Sequence, residues 1–278
     1  MSTTEQPPRR LLLFLHIPKT GGTTLRTIIR RQHPSGAVQD LENAQTNPFQ
    51  ILELRRHLPP ETAILQGHMG FGMHRFLPYP SSYITLLRHP INRVISAYYF
   101  QLRNPVWPVA RKLLSEGTSL YEYVSAGGHP HASNWQTLLL SSGSFSAEPC
   151  MRDQLDTAKD NLREHFPVVG LTERFDETLI LLRRRFRWSS VFYLRENVDP
   201  NHTRRPPVDR ETLRAIEEAN QLDMELYHYA RTLFEDAVRS QGPGFRIEVE
   251  VFKHLNRLYG RSLHPRRLYA RAASAIRG

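Results

Sequence analysis

Residues 11–24 read LLLFLHIPKTGGTT. The first five are a continuous apolar run, which suits a strand covered on both faces inside a parallel sheet. The last residues open a segment, TTLRTIIRRQ (23–32), whose Leu25, Ile28 and Ile29 recur at helical spacing. Between them sits a turn with two glycines, three threonines and one lysine. Glycines let backbone N–H groups converge on an anion, and a helix that starts there aims its positive end at the same point. The strand–turn–helix order predicts an α/β fold, and the turn predicts an anion site.

Working outward, the same alternation repeats. TAILQGH (62–68), SYITLL (82–87) and PVVGL (167–171) read as strands. INRVISAYYFQLR (91–103), RDQLDTAKDNLREHF (152–166) and TERFDETLILLRRRF (172–186) read as helices. A long helical region is expected from about 209 to 239, with Asp209 as its cap. Residues 104–150 mix short helices with Gly, Ser and Pro, and irregular structure is expected there. Strands alternating with helices give a three-layer α/β architecture with a mainly parallel central sheet, of the kind phosphate-loop nucleotide-binding proteins use. Residues 1–9 form a flexible lead-in and 10–240 the main domain. Pro243 and Gly244 mark the start of a basic extension, 241–278. Residues 246–278 carry eight Lys/Arg against two acids, a balance of +6 within a net charge of +10 for the 278-residue chain. Such a balance points to anionic partners.

The chemistry concentrates in three places. In the opening turn, Lys19 supplies charge, Gly21 and Gly22 supply backbone donors, and Thr20, Thr23 and Thr24 supply hydroxyls. The order differs from the GxxxxGK[ST] loop of ATP and GTP enzymes, because here the lysine precedes the glycines. The second place is LLRHPINRVISAYYF (86–100), where Arg88 ends a strand and Ser96 lies in the following helix. Guanidinium and hydroxyl together would grip a second phosphate. Taken alone, such a pair reads as a strand-end cap and a buried helix serine. The third is LQGHMGFGMH (65–74), with His68 just past a strand end and an imidazole suited to base work near neutral pH.

The ordered combination HIPKTGGTT…RHPINRVISAYY resembles the carbohydrate sulfotransferases, in particular the heparan sulfate and uronosyl 2-O-sulfotransferase branch. The likeness continues through DQLDTAKDNLREHFPVVGLTERFDETLILL (153–182) and covers roughly residues 10–240. It implies a PAPS-dependent enzyme (3′-phosphoadenosine 5′-phosphosulfate as donor) that moves a sulfuryl group to a saccharide hydroxyl. The opening turn would hold the 5′-phosphosulfate, with Lys19 also assisting the transfer. Arg88 and Ser96 would hold the 3′-phosphate. His68 would be the base. Arg204, with Arg205, in the basic loop 197–207 would close over the nucleotide. The sequence departs from that branch at Gln66, where the relatives carry a second histidine.

No motif requires a metal, and six residues separate His68 from His74 without a nearby carboxylate. The single cysteine, Cys150, excludes an intrachain disulfide and fits a reducing compartment. No apolar run approaches the ~20 residues of a membrane span. The animal relatives are Golgi-resident and membrane-anchored, so these features are read as a bacterial, cytoplasmic protein. The expected partner is a saccharide or glycan acceptor, with the basic charge favouring an acidic one, and no nucleic acid is expected. Two other readings stay open: an ATP-dependent phosphate-loop kinase, and a non-catalytic polyanion or nucleic-acid binder.

Overall fold

The computed structural model describes residues 10–41, 56–125, 129–141, 150–194, 196 and 205–275. Strands β1 (Leu11–Leu15), β2 (Val38–Leu41), β3 (Ile64–Gly67), β4 (Ser81–Leu87) and β5 (Val168–Leu171) form one sheet, ordered β2-β3-β1-β4-β5. All four pairings are parallel, with Leu13 facing Leu65 on one side and Tyr83 on the other. Every residue of β1, β3 and β5 is buried, as the unbroken apolar runs require of strands covered on both faces.

The helices are α1 (Gly22–Gln32), α2 (Pro90–Leu102), α3 (Pro108–Ser115), α4 (Leu120–Ser125), α5 (Trp135–Ser141), α6 (Arg152–His165), α7 (Phe175–Phe186), α8 (Arg210–Ala219), α9 (Gln221–Arg239) and α10 (Gly244–Ala275). They flank the sheet: α7 and α9 lie against β5, and α5 packs on α6. This is the parallel-sheet, helix-flanked, phosphate-loop type of fold that the sequence predicts.

The sheet order fixes where a ligand goes. After β1 the chain turns towards β2, at one edge; after β4 it turns towards β5, at the other. The loops leaving β1 and β4 therefore part between two adjacent strands. Open parallel sheets bind their ligands at such a divide, beyond the carboxyl ends of the strands. The opening turn and Arg88 are the two walls of that crevice.

Three features differ from the sequence reading. β2 is a strand that its short, half-polar VQDL run did not announce. The long helical region is two helices broken at Asn220, whose side-chain amide donates to the carbonyls of Ala132 and Ile216. Asp209 caps the first of them, accepting from the Thr212 N–H at 2.8 Å. The third lies past Gly244. Phe245, Val249 and Phe252 of α10 enter the main core, so the core continues beyond residue 240. Pro243 and Gly244 mark a turn between packed helices.

Candidate functional site

The opening turn is built on left-handed backbone. Lys19 (φ 72) and Gly21 (φ 87) both lie in this region, and Gly21 is the N-cap of α1. The Gly21 cap offers no side chain to that helix, whose start carries the positive end of its dipole. Gly22 is required for a different reason. A Cβ there would stand 2.0 Å from Cδ2 of His16. Thr20 is buried, and its hydroxyl donates to the Ile17 carbonyl at 2.8 Å, which locks the turn. Thr24 also turns inward, accepting from the Glu196 N–H at 3.2 Å. Thr23 is half-buried at the start of α1. The hydroxyls of Thr20 and Thr24 thus hold the turn's shape, and its backbone at 21–24 with Lys19 and Thr23 forms the rest of this wall.

Arg88 leaves β4 into the same crevice. Its Nη1 donates to the Lys19 carbonyl at 3.1 Å, joining the two walls. Its backbone is clamped by Gln136, which accepts from the Arg88 N–H at 3.0 Å and donates to the Arg88 carbonyl at 2.9 Å. Burial pulls the Arg88 pKa below the usual guanidinium value, and Arg205 and Arg93 push the same way against Glu173. A guanidinium stays charged regardless, so this shift marks a desolvated cation that an anion would compensate.

Ser96 sits on α2 one turn before Tyr99 and Phe100. Lys19 Nζ lies 3.7 Å from the Phe100 ring centroid, and the Arg205 guanidinium 3.9 Å from that of Tyr99. Residues three and four apart share a helix face, so Ser96, Lys19 and Arg205 converge on one side of α2. Arg204 lies outside the described residues.

His68 follows β3, the neighbour of β1, and is half-buried. Its Nδ1 lies 3.1 Å from the His16 carbonyl. A carbonyl only accepts, so Nδ1 carries the proton and Nε2 keeps the lone pair that a base needs. Gln66 has no part in this arrangement. It is fully buried, and its amide donates to Asp40 Oδ1 at 3.0 Å. Asp40 is also paired with Arg26 and Arg30 at 2.7 and 2.6 Å.

Several site residues escaped the sequence reading. Thr172 Oγ1 lies 2.6 Å from the Thr20 carbonyl and 3.0 Å from that of Leu87, tying both walls together. Glu173 accepts from the His89 N–H at 3.0 Å and from the Tyr227 hydroxyl at 2.8 Å. Both sit just past the end of β5. The strand-end rule that picked out Arg88 applies equally to them. Gln136 carried no such signal.

The fold and site define a class: an α/β protein with a glycine turn and an arginine as the two walls of a crevice at the divide of a parallel sheet, and a histidine just past the next strand. Residues 1–277 match the family model described as galactose-3-O-sulfotransferase, and the chain belongs to that family. The chain is 26% identical to bovine (Bos taurus) galactose-3-O-sulfotransferase 3 over 264 residues, covering 86% of this chain and 60% of that protein. It is 33% identical to human heparan-sulfate 6-O-sulfotransferase 1 over 184 residues, covering 55% of this chain and 43% of the relative. The chain thus spans about 60% of the length of the galactose-3-O relative. The solved structure of mouse sulfotransferase SULT7A1 complexed with PAP aligns with a TM-score of 0.40 at 13% identity, over 77% of this chain and 66% of that one.

The carbohydrate sulfotransferase resemblance therefore stands, and the family model names the galactose-3-O branch. The bacterial and cytoplasmic expectation is overturned, because the relatives are animal carbohydrate sulfotransferases. A lone cysteine excludes an internal disulfide and does not choose a compartment. Among the described residues no helix is long and apolar enough to cross a membrane.

Proposed function

We propose that this chain is a PAPS-dependent carbohydrate sulfotransferase. The observation that carries the reading is the joining of the two anion-binding walls, Arg88 Nη1 to the Lys19 carbonyl at 3.1 Å, beside a strand that delivers His68. A donor with phosphates at both ends of an adenosine needs two groups of anion ligands, and the two walls would supply them. The start of α1 with Lys19 would hold the phosphosulfate, and Arg88 with Ser96 the 3′-phosphate. Arg204 and Arg205, which precede α8 in the sequence, would add positive charge beside the nucleotide.

In the transfer, the acceptor hydroxyl oxygen forms a bond to sulfur while the bridging sulfur–oxygen bond breaks. Adenosine 3′,5′-bisphosphate departs with that electron pair. His68 Nε2 takes the hydroxyl proton, and Lys19 offsets the charge that develops on the bridging oxygen. Positioning and fixed charge do most of the work, as in phosphoryl transfer. The relatives' names point to galactose 3-hydroxyls and heparan sulfate 6-hydroxyls as the first acceptors to try, and the basic balance of the chain favours an acidic glycan.

The test is transfer of radiolabelled sulfate from PAPS to galactosyl glycans and to desulfated heparan chains without added metal. Labelled glycan is the expected product. Failure with every acceptor, together with turnover of Mg-ATP, would replace this reading with the kinase.

A further inference from the structure

His16 is the residue immediately after β1, and the anion turn grows from it. It is 5% exposed, whereas His68 is half-buried. The two imidazoles stack with centroids 4.6 Å apart and an interplanar angle of 24°. On the strand side the His16 ring also stacks on Phe14, at 5.6 Å and 19°. Its other neighbour is the first residue of α1: the ring occupies the space a Gly22 side chain would need, with Cδ2 and Nε2 2.0 and 2.2 Å from a Cβ built there. One flat ring therefore touches both the helix start that faces the anion and the histidine that faces the acceptor.

The His16 backbone serves the same two parts. Its N–H donates to the Gly67 carbonyl at 3.0 Å, fixing the end of β3, and its carbonyl takes the His68 Nδ1 proton. The His16 ring nitrogen Nδ1, by contrast, is buried and meets no hydrogen-bond partner among the described residues. The ring thus acts through its faces. Burial, and then the fields of His68, Arg26 and Lys19, hold the His16 imidazole well below its usual pKa, so it remains neutral beside a base that must take up a proton.

We infer that His16 is a positioning residue: its ring, wedged between Gly22 and His68, fixes the base against the sulfuryl-donor turn. The inference rests on the sulfotransferase reading for the identity of the reaction. Once the ring is removed, His68 loses its stacking surface and its Nδ1–carbonyl contact becomes one of several orientations. The donor walls, held by Thr20, Thr172 and Arg88, stay in place.

The test uses His16→Ala, His16→Gln and His16→Phe in the full chain. Imidazole nitrogen NMR of His68 reads the tautomer, needs neither donor nor acceptor, and so decides the point even if the proposed reaction fails. The wild type should show a single form with the proton on Nδ1. His16→Ala and His16→Gln should show a mixture, and His16→Phe should restore the single form. For turnover, Ala and Gln should lower kcat by about 100-fold, the scale of a 1 Å misplacement, with PAPS KM little changed, while Phe recovers most of the loss. An unchanged tautomer in both Ala and Gln variants, or a Phe variant as impaired as they are, would overturn the inference. A parallel loss of bisphosphate binding and kcat in the Ala and Gln variants would overturn it as well, since it would make the ring a support for the fold alone.

Discussion

The Thr172 hydroxyl lies 2.6 Å from the carbonyl of Thr20, a residue 152 positions earlier, and 3.0 Å from that of Leu87. A single side chain on the turn after β5 thereby spans the crevice between β1 and β4. Removing the hydroxyl should loosen both walls at once. Thr172→Val is expected to weaken binding of adenosine 3′,5′-bisphosphate by about fivefold, the value of one hydrogen bond, with Thr172→Ser restoring it. Calorimetric titration checks this, and unchanged affinity in the valine variant would remove Thr172 from the site.

Arg88 gives a sharper expectation. Hydrogen bonds to a charged group are worth about 1.5–3 kcal/mol, so Arg88→Ala should cost the bisphosphate roughly 10- to 150-fold in affinity. 5′-AMP, which lacks the 3′-phosphate, should lose far less. Arg88→Lys should recover only part, because a point charge cannot reproduce the guanidinium fork. Equal losses for the two nucleotides would mean that Arg88 does not read the 3′-phosphate.

Asp223 is the buried anchor beneath that arginine. It accepts from the N–H groups of Gln136 and Thr137 and from the Thr137 hydroxyl, and its carboxylate lies 3.9 Å from the fully buried Arg93. Asp223→Ala leaves a buried guanidinium uncompensated and should cost about 3–5 kcal/mol of stability. Through Gln136 it should also release the Arg88 backbone. Denaturant unfolding measures the first effect. A loss under about 1 kcal/mol would show that Arg93 does not depend on this carboxylate.

Two histidines behind α5 should make the protein acid-sensitive. Burial lowers the pKa of His129 to about 4 and that of His131 to about 3, from 6.5. A depressed folded-state value means that the unfolded chain binds protons first as pH falls. The stabilisation is complete above pH 6.5, declines below it, and levels off only near pH 3 to 4. The melting temperature should therefore fall between pH 6.5 and 4, and His131→Phe should flatten that slope while keeping a ring against Trp135. An equally steep slope in the variant would assign the acid sensitivity elsewhere.

Much of this architecture was legible in the chain. The buried strands announce themselves as unbroken apolar runs, and the anion turn by its glycines and lysine. What escaped depends on tertiary contact. β2 is an edge strand of four residues whose Asp40 answers Arg26, Arg30 and Gln66 from other elements. Asn220 breaks a helix because Ala132 is near enough to take its amide proton. The spacing of Phe245, Val249 and Phe252 does mark a buried helical stripe, but the surrounding arginines masked it. In the site, Lys19, Arg88 and His68 stand at strand ends where sequence rules look. Gln136 and Asp223 act on Arg88 across long separations that no local pattern encodes.

The sheet order also governs when the site can exist during synthesis. β1 precedes the other four strands and is central in the sheet, so the anion turn is made before its partners, which lie at residues 67, 88 and 172. Glu173 then waits for Tyr227, 54 residues later. A chain that leaves the ribosome from its N-terminus carries the donor turn as an exposed, unfinished edge until the last of these arrives. Completion of the crevice thus waits on α9 as well as on the sheet, and a truncation before α9 should yield a chain that has all five strands, every recognisable motif and no nucleotide binding.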